Sequence, residues 1–223
     1  MPEVLESMHK EIDLRAHNWN KNTFETMYFG GGTPSLLDEK SLLLLIEHIF
    51  QTYTFSEKPE ITLEANPDDL SAAYLRMLNK AGVNRLSIGV QSFRDEELLA
   101  MNRLHNAEQA ESCIKRAQDI GITEISIDLM YGIPNQENKH WISNLEKAKT
   151  LEVQHISAYA LTVEESTSLY HLIRKKKISN VSDELAAEHF TLLRSQIELW
   201  NWEGYEVSNY CKPGHRSKRT TLS

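Results

Sequence analysis

Three short β-rich runs end in polar side chains whose types suit ligand binding. Glu64 is next to last in ITLEA (61–65), Gln91 follows RLSIGV (85–90), and Asp128 stands in EISIDLMYG (124–132). A fourth run, TMYFG (26–30), opens into the triple glycine of YFGGGTPSLL (28–37). Glycine admits positive φ and lets another group approach the backbone closely, so three in a row after a strand expose amide and carbonyl groups to a ligand. Thr33 adds a hydroxyl and Pro34 stiffens the exit from the loop. This is the chemistry of a loop that hydrogen-bonds an amino-acid-like or nucleoside ligand; a tight turn with no ligand is the other reading. A phosphate loop is excluded because no Lys-Ser/Thr pair follows, and the dinucleotide pattern fails because Ser35 takes the place of its third glycine. The polar residues at the other strand ends have a plainer reading as well, as strand-end caps and turn formers.

The elements that must position these groups alternate. To the four runs a fifth is added, HISAYAL (155–161), and helical patterns over 38–52, 70–81, 95–101, 107–120 and 138–150 lie between them. One more helix, about 3–18, precedes the first strand, and a long one, about 183–201, follows the last and opens on the N-cap pair Ser182-Asp183. Gly82 and Gly121 close two of the helices. Strand–helix alternation of this kind predicts βαβ units on a parallel sheet, an α/β fold in which ligands sit at the C-terminal edge of the strands.

Composition narrows the function further. The 223 residues suffice for one large domain with a real core. A net charge of −8 argues against a nucleic-acid binder, and the basic clusters at 174–177 and at Lys212, Arg216, Lys218 and Arg219 read as solvated faces. No apolar run reaches membrane-spanning length, since Glu47 and His48 interrupt SLLLLIEHIF (41–50), and the first residues carry no signal-peptide pattern. Cys113 and Cys211 are far apart and form no C-x-x-C pair, which suggests a reducing, cytoplasmic setting and no metal site built from cysteine alone. A phosphate-binding sugar barrel would need a second glycine loop near the last strands, and residues 155–170 contain no glycine.

Six segments in order, YFGGGTPSLL, ITLEANPDDL, LSIGVQSFRDEEL, LHNAEQA, SIDLMYGIPNQ and HISAYALTVEE, carry a likeness. Over about residues 8–217 the chain resembles the radical S-adenosylmethionine family of oxygen-independent coproporphyrinogen III oxidases, and most of all its HemW branch of haem chaperones. The resemblance implies a partial (β/α)6 TIM-like barrel holding S-adenosylmethionine against a [4Fe–4S] cluster. The positions matching the family's cofactor contacts are Gly31, Gly32, Thr33, Glu64, Gln91, Arg103 and Asp128. Carboxylates at Glu64 and Asp128 suit the ribose or the ammonium, Arg103 the ligand's carboxylate, and Gln91 supplies both a donor and an acceptor. Without the family, Arg103 reads as a surface ion pair with Glu97 or Glu108. The partners implied are this small-molecule cofactor and haem or a porphyrinogen, with oxidation of coproporphyrinogen in haem biosynthesis as the alternative to haem trafficking.

The chain departs from the family pattern in two places. The cluster cysteines, C-x-x-x-C-x-x-C after the first barrel strand, have no counterpart here, so no metal ligand and no catalytic residue is assigned. The expectation is an incomplete barrel over 1–203 lacking its first strand, a β-edge left unpaired at 26–30, and a polypeptide that alone neither assembles the cluster nor performs radical chemistry. Residues 204–223 are expected to begin a further C-terminal region. There the family continues into a His-Asn…Tyr-Trp stretch associated with haem, where this chain has Arg219 and Thr220. His215 is read as exposed and unliganded, and the two departures together as a fragmentary product or a mis-assigned reading frame.

Overall fold

A computed structural model of the chain describes residues 2–165, 168–175 and 179–219. Lys176, Lys177 and Thr220 lie outside these residues. Strands β1 (Thr23–Phe29), β2 (Thr54–Ala65), β3 (Arg85–Gln91), β4 (Glu124–Tyr131) and β5 (His155–Ala160) pair in parallel in that order. Antiparallel β6 (Glu203–Gly204) and β7 (Asn209–Cys211) extend the sheet, giving the spatial order β1-β2-β3-β4-β5-β7-β6. Tyr28 of β1 and Asn209 of β7 line one cavity, so the sheet curls into a half-barrel. β1 is its edge among the described residues.

Helices α1 (Pro2–Arg15), α2 (Glu39–Thr52), α3 (Ala72–Lys80), α4 (Asp95–Ala100), α5 (Ala107–Ile120), α6 (Asn138–Thr150), α7 (Ser168–Arg174) and α8 (Asp183–Leu199) complete the chain. Local chemistry sets several of their starts. Ser71 and Ser182 accept backbone N–H groups of Tyr74 and Leu185, and Asn106 with Gln109 forms a capping box. The convex face of the sheet is apolar: Ile61, Leu63, Leu86, Ile88, Ile125, Ile127, Leu129 and Ile156 are buried in one core with Leu75, Ile114, Trp141 and Leu145 of the helices. The concave face is polar, with Thr62, Glu64, Arg85, Ser87, Ser126, Asp128, His155 and Ser157 around one cavity. A parallel sheet buried on both faces reads as a continuous apolar run. This strict alternation therefore marks a sheet whose inner face is kept for something polar.

Three features differ from the sequence reading. β2 begins seven residues early, at Thr54, because its first half is disguised by Pro59 and by Glu57, Lys58 and Glu60. The pairing jumps from Phe24↔Phe55 to Thr26↔Glu60, and Pro59, which has no N–H to give a ladder, falls in that irregularity. Helix α7 and the β6–β7 ribbon are too short to leave a periodic signal. The first helix ends at Arg15 and continues only as a 3-10 turn over Ala16–Asn18.

Candidate functional site

The glycine loop leaves β1 at Phe29, and its three glycines do different work. At Gly30 an added Cβ would stand 2.6 Å from Tyr28 Cε1 and 2.7 Å from Glu64 Oε1, so only glycine lets the Glu64 carboxylate come up under the loop. Gly31 has φ +85°, which favours glycine, and its N–H donates to Glu64 Oε2 at 3.2 Å. Gly32 has neither constraint: no atom lies within 4 Å of where a Cβ would be, and the space it leaves is open. Thr33 follows with φ +52°, and a short 3-10 turn over Pro34–Leu36 carries the chain away.

Glu64 is thereby held from two sides, by Gly31 and by the Tyr28 hydroxyl, which donates to Oε1 at 2.5 Å. Burial, then this bond to a carboxylate, pushes the Tyr28 phenol well above its usual range, so it remains a donor. Asp128 points from β4 toward the same space. Burial raises its carboxyl to about 7 and the nearby charge of Glu64 adds to the rise, while the Ser157 hydroxyl and Arg103 oppose it. Near neutrality this carboxyl is poised between donor and acceptor.

Gln91 is buried at the tip of β3 with φ +67°, a conformation glutamine seldom adopts. Arg103 lies in the connection between α4 and α5. It forms no ion pair among the described residues, so the surface pairing with Glu97 or Glu108 gives way: Glu97 is turned to Arg94, Ser92, Gln136 and Asn144 instead. Burial lowers the guanidinium's pKa, and Asp128 and then Asp68 are the negative charges acting to keep it protonated.

All seven residues named from the sequence, Gly31, Gly32, Thr33, Glu64, Gln91, Arg103 and Asp128, line a single cavity of about 330 Å³ at the strand tips. Asn66, Ser87 and Gly89 line it too, and Tyr28 supports it from below; none of these was singled out from the sequence. Ser87, Gly89 and Gln91 alternate along β3, so a period-two reading back from the strand-end Gln91 would have marked the other two. A larger cavity of about 410 Å³ adjoins it inside the half-barrel and shares Glu64, Ser87 and Asp128. His215 is not free, since its Nδ1 lies 2.9 Å from Glu124 Oε1.

The profile of the radical SAM superfamily matches residues 6–148. Over 217 residues the chain is 37% identical to the heme chaperone HemW of Bacillus subtilis (strain 168), covering 97% of this chain and 57% of that protein. It is 36% identical over 190 residues to the mitochondrial radical S-adenosyl methionine domain-containing protein 1 of Bos taurus, covering 85% of this chain and 43% of that one. The chain thus spans about half the length of these relatives. Among solved structures, the coproporphyrinogen III oxidase HemN of Escherichia coli, described as a radical SAM enzyme, superposes with a TM-score of 0.85 at 23% identity. That match covers 96% of this chain and 49% of the other, and bears on the fold alone. No helix among the described residues is long and apolar enough to cross a membrane. The curled α/β sheet, the family profile and these relatives together make this chain a member of the radical SAM superfamily, of the HemN/HemW-like kind.

Proposed function

We propose that the strand-tip cavity binds S-adenosylmethionine. The observation that supports this is the convergence of seven residues from five separate segments on one space of about 330 Å³. The donor set fits the ligand. Arg103, which has no ion-pair partner among the described residues, is free to take the amino-acid carboxylate in a charge-assisted fork. Glu64 and Asp128 accept from the ribose hydroxyls or the ammonium, and the Gln91 amide serves both roles. Gly32 leaves room for the ligand's amino-acid end against bare backbone. In radical SAM proteins the bound cofactor supplies reductive C–S cleavage; these side chains bind and orient it.

The residues present do not fit a [4Fe–4S] cluster, which takes thiolate ligands. Cys113 is buried in α5 and Cys211 in β7, and burial pushes their thiols up to about 12 and about 11. Among the described residues no group of three His, Cys, Asp or Glu could hold a metal ion. The proposal for these 223 residues on their own is cofactor binding without cluster chemistry; stoichiometric iron and acid-labile sulfide after anaerobic reconstitution would refute it. For the wider activity, the reading favoured is haem handling, because relatives at 31–37% identity bear the name heme chaperone. Haemin titration followed by Soret absorbance, set against turnover of coproporphyrinogen III, separates this from the oxidase reading.

Equilibrium dialysis against labelled S-adenosylmethionine tests the binding site. The wild type retains label, and Glu64→Gln and Arg103→Met each bind about tenfold or more weakly, the size of a lost hydrogen bond to a charged group. No retention by the wild type, or variants binding as the wild type does, overturns the assignment.

A further inference from the structure

The tip of β3 holds a turn that the cofactor reading leaves unexplained. Ser92 N–H donates to Val90 O at 2.9 Å, across Gln91 with φ +67°. A bond from residue i to i+2 around a centre of positive φ is the strained form of the γ-turn, and glutamine has no intrinsic reason to adopt it. β3 pairing with β4 is irregular over the same residues, between Ile88 and Gln91. Such a conformation persists only where the surroundings over-determine it.

Two buried side chains do so, one on each side of Gln91. On one side is His105, 3% exposed, whose Nε2 lies 3.0 Å from Val90 O. A carbonyl only accepts, so Nε2 carries the proton, and Val90 O receives both this N–H and that of Ser92. On the other side is Glu97, 6% exposed. Its Oε2 accepts from Ser92 Oγ at 2.6 Å, from Gln136 Nε2 at 3.0 Å and from Asn144 Nδ2 at 3.0 Å. Asn144 Oδ1 in turn accepts the N–H of Phe93 at 2.9 Å. The residues flanking Gln91 are therefore tied to α6, to the β4–α6 connection and to the loop that ends at His105. Gly89 completes the arrangement: a Cβ there would stand 3.2 Å from Gln91 Nε2, so the amide folds back over β3 toward the cavity. Arg103 sits two residues before His105 in the same loop, and its N–H is bonded to Leu98 O at 2.9 Å.

We propose that His105 and Glu97 are positioning residues: they clamp the strained turn at Gln91 from both sides and so aim the Gln91 amide and the Arg103 guanidinium into the strand-tip cavity. The inference rests on the S-adenosylmethionine reading for its affinity readout, and on the turn alone for its second readout.

The affinity test is a double-mutant cycle. His105→Phe keeps a buried ring and removes the donor; it weakens S-adenosylmethionine binding about tenfold, as expected for one lost buried hydrogen bond. Glycine adopts positive φ without the clamp, so in a Gln91→Gly background the same change alters affinity by less than about twofold. Glu97→Leu weakens binding, and Glu97→Gln, which keeps an acceptor oxygen for Ser92, restores most of it. An equal loss from His105→Phe in both backgrounds overturns the proposal, because a general packing defect would give that result. The second readout needs no ligand. Amide hydrogen exchange at Ser92, followed by NMR, accelerates about tenfold or more in His105→Phe while core amides of β4 hold their protection. Should the wild type bind no S-adenosylmethionine, the functional reading fails and this measurement decides the clamp by itself; unchanged exchange at Ser92 overturns it.

Discussion

The two ends of the half-barrel's inner face are both polar, and they treat their polar groups in opposite ways. At the floor, Arg85 is 3% exposed and lies between Glu60 at 3.7 Å and Glu124 at 3.5 Å. Glu60 also faces the Ser217 hydroxyl and the Lys218 N–H, and Glu124 faces His215. His155 is bracketed by Ser126 Oγ at 2.6 Å and Tyr205 OH at 2.7 Å. At the tips, Arg103 forms no ion pair among the described residues, burial raises Asp128 to about 7, and Gln91 and Thr33 sit at positive φ. The floor sets its buried cation against protein carboxylates, though Arg85 Nη2 lacks a hydrogen-bond partner; the tips leave Arg103 without an ion pair among the described residues. The same strands thus serve stability at one end and binding at the other, the division expected where ligands use the C-terminal edge.

Two arginines break or sharpen this contrast most directly. Arg85→Leu removes the buried cation that Glu60 and Glu124 face and lowers unfolding stability by about 2 kcal/mol, less than for a fully buried pair because Glu124 is partly exposed. S-adenosylmethionine affinity of the molecules that remain folded is unchanged. Arg103→Leu removes a desolvated cation with no ion-pair partner, costs less than about 1 kcal/mol, and abolishes most binding. Urea unfolding and dialysis on both variants give the four numbers. A large stability loss at Arg103, or an affinity loss at Arg85, removes the distinction.

The next effect is in pH. Burial, then the charge of Arg85, lowers His155 to about 3, below the ordinary value near 6.5. Between these values the unfolded chain holds a proton that the folded chain does not, so stability falls as pH falls from 6.5 toward 3. At pH 4 the loss amounts to about 3 kcal/mol. Asp128 has the opposite sign. Its folded value of about 7 lies above the ordinary 3.8, so the folded state keeps a proton that the unfolded state has lost, and stability falls as pH rises from 4 toward 7. Allowing for its partial exposure, that cost is on the order of 2 kcal/mol. Urea midpoints measured from pH 4 to 8 should show His155→Gln flattening the acid limb and Asp128→Asn flattening the neutral one. If Asp128→Asn leaves the neutral limb unaltered, the carboxyl is not held protonated at the tips.

How much of this could be read from the residues follows the same division. The five parallel strands and most helices were legible because apolar periodicity switches cleanly between two and 3.6, and because Ser182 and Gly121 punctuate it. Glu64, Gln91 and Asp128 were legible as polar residues at strand ends, although Asp128 lies inside β4, three residues before its end. Arg103 was not legible from its own surroundings: in a loop beside Glu97 and Glu108 the ion-pair reading is the natural one, and only the family likeness pointed elsewhere. The floor went unseen because its partners are distant in sequence. His155 meets Tyr205 and Glu60 meets Lys218, contacts across 50 and 158 residues that no local pattern records. The clamp on Gln91 was hidden because a buried side chain in a loop leaves no periodic mark; Glu97 entered only as one of two surface partners offered for Arg103.

The smallest expected effects lie in the glycine loop, where neighbouring residues separate the two kinds of constraint. Gly31 is fixed by its backbone: φ +85° is strained for any L side chain, and Gly31→Ala costs about 1 kcal/mol of stability. Gly32→Ala meets no protein atom within 4 Å and no such backbone requirement, and by restricting the unfolded chain it leaves stability equal or slightly raised. If the open space at Gly32 is where the ligand's amino-acid end approaches the backbone, the new methyl lowers affinity several-fold without touching stability. Thermal melts and dialysis on the two alanine variants make the comparison. Equal affinity for Gly32→Ala and wild type would mean that the third glycine is spare, and that the ligand reaches Glu64 and Arg103 without passing against this loop.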